Sequence, residues 1–178
     1  MKNIIKLLIV FFFLIFLSSF SFCNNVDELK IQKFTEEDKN YPENIVAYNL
    51  FQDSYNLWKS KKIEDYHFKV NYLAQSVSKG IWEIFVKKGN VVKIITNTGK
   101  IIEEKELEKG TPFSNFTMES LFAIASYSYK NSEESFYKFI VVYDTNFGYP
   151  REIKKVVQKS DAPKDKGFAY FVIFFEVQ

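Results

Sequence analysis

The chain has one cysteine and one histidine in 178 residues. A single thiol, Cys23, has no intramolecular partner, so the fold is held without a disulfide. That suits a bacterial envelope protein better than a small eukaryotic secreted domain, which is commonly stapled by such bonds. Because His67 is the only imidazole, a histidine-based metal centre or a Ser-His-Asp triad would have to be assembled around it. No Gly-x-Ser-x-Gly turn is present to supply a nucleophile. Charge of one sign is lacking too: 24 basic residues face 22 acidic ones, and the signs balance once Lys2 and Lys6 are set aside. The concentrated positive field that nucleic acids require is therefore absent, and Lys and Glu intersperse as on a solvated surface.

What is present begins with an export leader over residues 1–23. Lys2 and Lys6 stand at its front, an apolar run follows from Leu7 to Leu17, and small residues begin at Ser18. The run falls short of the about 20 apolar residues that cross roughly 30 Å of hydrocarbon, which favours a cleaved signal over a membrane span. Cleavage after Ser21 or after Cys23 satisfies the small-x-small rule. Cys23 also stands where a lipoprotein precursor carries its lipidated residue, although Phe22 before it is bulky where that pathway uses Gly, Ala or Ser. The expected product is an exported domain, periplasmic or extracellular, or alternatively a lipoprotein anchored to the membrane. Contact with the membrane is expected only through the signal or the lipid.

Residues 24–41 are polar with little periodicity and read as a flexible tether, leaving 42–178 as one domain with a single core. From Ile45 to Lys59 the residues Tyr48, Phe51, Tyr55 and Trp58 recur at helical spacing. Tyr66, Phe68, Val70 and Tyr72 then alternate with His67, Lys69 and Asn71, the period of a half-buried strand. A second strand runs from Ile81 to Val86, and Lys88-Gly89-Asn90 turns into a third from Val91 to Thr96. Glu103 to Lys109 reads as a surface loop or ragged edge. Asn115-Phe116-Thr117 matches a glycosylation sequon, but in a bacterial setting it is a helix start, with Thr117 capping a helix from Met118 to Tyr129. Three more strands follow over Phe136–Asp144, Arg151–Gln158 and Phe168–Val177, the last apolar on both faces and so placed centrally. The expected fold class is α+β: an antiparallel sheet of about six strands with two helices on one face, in the order helix, three strands, helix, three strands. Asp65–Tyr72 echoes Phe136–Tyr143, which raises a duplicated helix-and-meander unit.

Leu57-Trp58 followed by Ile63-Glu64-Asp65-Tyr66-His67-Phe68, the Lys88-Gly89-Asn90 turn, Ser120-Leu121-Phe122, and above all Phe147-Gly148-Tyr149-Pro150-Arg151-Glu152-Ile153 resemble a family of uncharacterised exported bacterial domains, many of them classed as lipoproteins. The resemblance spans about Leu50 to Val177 and implies a fold and a location but no activity. Members often carry Cys-x-Cys between the first two strands. This chain has Ala74-Gln75-Ser76-Val77 there, so any role resting on those cysteines is absent.

No catalytic, cofactor or metal set emerges from the residues. His67 reads as a solvated strand histidine on the face of Lys69 and Asn71. The carboxylates Asp144, Glu152, Asp161 and Asp165 lack the oxygen-ligand spacing and central glycine of a calcium loop. Gly148-Tyr149-Pro150 reads as a tight turn, and Phe147 and Tyr149 with Asp144 beside it as a candidate interaction surface. Cys23 is the candidate lipidation site. The expected activity is binding, to an unknown protein or envelope component and without nucleic acid; the alternative is a hydrolase or enzyme-inhibitor-like module with an unrecognised site.

Overall fold

The computed structural model describes residues 30–74, 78–107, 113–130, 136–159 and 167–178. Helix α1 (Pro42–Lys61) starts on a proline, whose fixed φ and missing N–H suit the first helical position. Its stripe buries Phe51 and Trp58 completely, with Tyr48 and Tyr55 packed alongside. Four strands follow in a meander: β1 (Tyr66–Ala74), β2 (Gly80–Lys87), β3 (Asn90–Ile95) and β4 (Ile101–Glu103). Helix α2 (Met118–Ala125) leads into a 3-10 turn, Ser126–Lys130, and then into β5 (Tyr137–Tyr143), β6 (Pro150–Val157) and β7 (Phe168–Val177). Helix α2 opens at Thr117, whose backbone N–H donates to Ser120 Oγ at 3.3 Å. It ends earlier than its apolar spacing implies because Ser126 Oγ donates to the Ala123 carbonyl at 2.6 Å, a local bond that competes with continued α-helix.

Among the described residues the strands form one antiparallel sheet of seven, ordered β4-β3-β2-β1-β7-β6-β5. The count exceeds the expected six because Ile101–Glu103 pairs with β3; three residues are too few for alternation to declare a strand. The apolar β7 lies in the interior as expected, between β1 and β6. The two segments that echo each other hold different places in the sheet: Tyr66–Ala74 is an interior strand while its counterpart Tyr137–Tyr143 is an edge strand.

Both helices cover one face of the sheet. Tyr66, Phe68, Val70 and Tyr72 of β1, Trp82 and Ile84 of β2, Ile153 of β6 and Tyr170 of β7 meet Phe51, Trp58, Leu121 and Phe122 in a single core. Burying each such side chain contributes about 1.5–3 kcal/mol. Edge-to-face contacts, as between Trp58 and Tyr66 (centroids 5.6 Å apart, 88°), add to that.

Residues 30–40, expected to form part of a tether, lie against this helix layer. Phe34 stacks on Tyr48 at 4.2 Å, Gln32 N–H donates to Ser126 Oγ at 2.9 Å, and the Tyr129 hydroxyl donates to the Gln32 carbonyl. Asp38, in the 3-10 turn Glu37–Asn40, pairs with Lys130 and accepts from the Thr35 N–H and hydroxyl, both at 2.6 Å. Polar composition alone reads as a tether, but the segment's side chains find partners on α1 and on the turn after α2. The leader, its cleavage points and Cys23 lie outside the described residues.

Candidate recognition surface

The Asn146–Pro150 turn, the sheet face that carries no helix among the described residues, and the cavities are the places where a ligand could be met. The turn is built by Asp144, whose Oδ1 accepts the backbone N–H groups of Asn146 (2.9 Å) and Phe147 (2.8 Å). The Asp144 N–H donates to the Tyr149 carbonyl at 2.8 Å, and the Gly148 N–H to the Asp144 carbonyl at 3.0 Å. Gly148 has φ +85°, the left-handed region that favours glycine. So far the turn matches its reading from sequence. Its aromatic side chains do not, because Tyr149 is only 7% exposed and packs 4.7 Å from the Phe175 ring. Burial, with the nearby Asp144 charge, pushes its hydroxyl pKa up to about 12, against a downward pull from Arg151. Phe147 is half-buried against Phe175 at 5.2 Å. The candidate surface of Phe147, Tyr149 and Asp144 is therefore a packed turn: its tyrosine belongs to the core and its aspartate to the turn's own backbone.

The helix-free face is the larger unclaimed surface. Strand alternation sends Ile81, Glu83 and Phe85 of β2, His67, Lys69 and Leu73 of β1, and Phe171 and Phe174 of β7 to it. The register confirms the neighbours: His67 opposite Phe85 and Glu176, Lys69 opposite Glu83 and Phe174. A bulge between Lys69 and Val70 absorbs Ile173, which is half-exposed. Ile81, Leu73 and Phe174 are likewise substantially exposed. The lysines lie over aromatic rings, Lys93 at 4.1 Å from Phe85, Lys154 at 5.3 Å from Phe171 and Lys69 at 5.7 Å from Phe174. Carboxylates alternate with them, Glu83 with Lys69 at 3.2 Å and Glu152 with Lys154.

His67 sits in the middle of this face, yet it is 8% exposed and not solvated as the alternation suggested. Its ring lies flat on Phe85, centroids 4.2 Å apart and planes 3° from parallel, with Phe174 tilted over it at 5.0 Å. Nε2 approaches Glu83 Oε1 to 2.6 Å, a contact that carries charge on both sides only when the imidazole is protonated. The alternation identified the face correctly; the enclosure comes from aromatic neighbours on β2 and β7, which are distant in sequence.

One cavity, of about 630 Å³, lies along β2, β3 and the turn after β4, between Phe85, Lys93, Lys105 and Glu103. Another, of about 410 Å³, lies where α1 ends and the β2–β3 hairpin turns, lined by Lys59, Lys62, Lys88, Glu64, Glu119 and Trp58 among others. Neither contains His67 or Asp144. Asp161 and Asp165 lie outside the described residues. Among the described residues no three His, Cys, Asp or Glu side chains converge as metal ligands, and no helix is long and apolar enough to cross a membrane.

A helix pair on one face of an antiparallel sheet, with an opposite face that carries no helix among the described residues and is studded with aromatic, aliphatic and ionic side chains, defines a two-layer α+β domain. The chain belongs to a family of unknown function, DUF6174, which it matches over residues 50–177. The matched span opens inside α1 and closes with the last residue of β7, so the docked segment 30–40 lies outside it. No curated protein matches the chain.

Proposed function

We propose that this chain is an exported bacterial envelope domain that acts by binding a protein partner through the helix-free face of its sheet. One observation carries the reading: Ile81, Leu73, Ile173 and Phe174 stay substantially exposed on a face where the lysines and glutamates are already held by rings and by one another. Apolar surface left open in this way marks an interaction site. The two signs of charge alternate across it, which suits the mixed surface of a protein and opposes a polyanion. Export rests on the leader pattern of residues 1–23.

The test is photo-crosslinking in the intact envelope from position 81 or 173, with position 50 on the exposed side of α1 as control. Adducts to a defined protein should form from the sheet positions only, and Ile81→Glu or Ile173→Glu should abolish them without lowering the unfolding midpoint. Equal labelling from position 50, or adducts indifferent to both substitutions, would sink the binding face. Intact mass decides export separately: a chain beginning at Phe22 or Asn24, or a lipid-modified Cys23, supports it, and a chain beginning at Met1 removes it.

A further inference from the structure

Three non-glycine residues among those described have positive φ: Lys62 (51°), Lys88 (50°) and Phe113 (64°). Two of the three line the same cavity, the one of about 410 Å³ beside the end of α1. L side chains are disfavoured in this region of backbone space, and strain of this kind gathers at functional sites. Both positions are ones where glycine or asparagine would relieve it. Lys62 is the left-handed residue that closes α1, usually glycine. Lys88 precedes Gly89 (φ 74°) in a two-residue hairpin turn that needs positive φ at both places, usually Asn-Gly. What lysine adds at each is an ammonium group.

Lys59 borders the cavity as well, its ammonium 6.0 Å from the Tyr55 ring, and none of the three ammonium groups has a carboxylate within ion-pair distance among the described residues. That is notable because Glu64 and Glu119 border the same space. The negative end of the α1 dipole accounts for lysines in its last turn, but not for Lys88, which arrives on a separate hairpin. The Glu119 carboxylate is fixed on the inner wall by the Trp58 indole N–H at 3.1 Å. The volume lies within the range of small-molecule pockets, which begins at about 300 Å³.

We propose that this cavity binds the phosphate ester of a small polar alcohol. Lys59, Lys62 and Lys88 take the phosphate oxygens, and Glu64 and Glu119 take the hydroxyl donors of the alcohol. The same chemistry is offered by a free glycerol phosphate and by a phosphatidylglycerol headgroup. Titration calorimetry with glycerol 1-phosphate and sedimentation with phosphatidylglycerol vesicles, on the protein purified as cells produce it, separate the two sources.

Saturable binding in either arm is expected, weakened at least about tenfold by Lys62→Gly together with Lys88→Asn, since charge-assisted contacts are lost. The same double variant should unfold at an equal or higher temperature, because both substitutions relieve backbone strain. A control, Lys61→Ser, removes a lysine from the same helix end outside the cavity and should leave binding intact. No saturable binding in either arm, binding indifferent to the double variant, or an equal loss in the control would each overturn the proposal.

Discussion

A β-carbon placed on Gly148 would stand 2.3 Å from the Ser54 carbonyl oxygen and 3.0 Å from the Trp58 amide nitrogen, both backbone atoms of α1 that cannot swing aside. Gly148 therefore answers two demands, a left-handed φ and a close approach of the β5–β6 turn to the helix. The first was legible in the Gly-Tyr-Pro order; the second was not, because α1 is about ninety residues away in sequence. Gly148→Ala is expected to lower stability by about 2–4 kcal/mol in urea unfolding, strain and overpacking together. The same close approach encloses Tyr149. Tyr149→Ala should cost about 3 kcal/mol by the same measurement, as for other buried aromatics, and Phe147→Ala, half-buried, clearly less. Equal and small effects would return the turn to the surface.

At the scale of elements, segment 30–40 and strand β4 depart furthest from what their own residues announce. Neither has a periodic pattern: β4 is three residues long, and the segment's order rests on Phe34 stacking, on Gln32 bonds to Ser126 and Tyr129, and on Asp38. Burial alone would raise the Asp38 pKa, but the Lys130 ammonium and the Thr35 hydroxyl and N–H outweigh it and hold the carboxyl below its usual value. A carboxyl depressed on folding stabilises fully above its unfolded pKa, near 4. That stabilisation is lost as pH falls through the folded value. Acidification below about pH 4 is therefore expected to free residues 30–40 before the sheet unfolds, seen as early loss of amide protection at Gln32. Asp38→Ala should produce the same release at neutral pH, at a cost of about 1–3 kcal/mol, since Lys130 keeps some access to water. Protection unchanged in that variant would show that the aromatic contacts alone hold the segment.

The molecule as a whole is sensitive at the opposite end of the pH scale. Burial first, aided by Glu119, pushes up the Tyr66 hydroxyl pKa, and burial likewise raises Tyr143. Tyr129 and Tyr149 are pushed up to about 12 by the same cause. Unfolded tyrosines ionise near 10, so this stabilisation is complete below about pH 10 and is lost as pH rises through the folded values. The part of the tyrosinate absorbance owed to these four hydroxyls, isolated by replacing each with Phe, should appear together with the loss of far-UV circular dichroism above about pH 10; absorbance that completes while the dichroism is still native would show these hydroxyls to be solvated. Sequence by itself determined the helix and strand types, the antiparallel hairpin at Lys88-Gly89, the interior place of β7 and which side chains share a face, because apolar period and turn chemistry are local. Only the tertiary structure decided that Tyr149 and His67 are enclosed, that residues 30–40 dock, that β1 and β5 are not equivalent, and that two strained lysines meet at one cavity. Each of these depends on which distant segment arrives alongside, a choice made by the burial of the whole aromatic core and not by any stretch of chain alone.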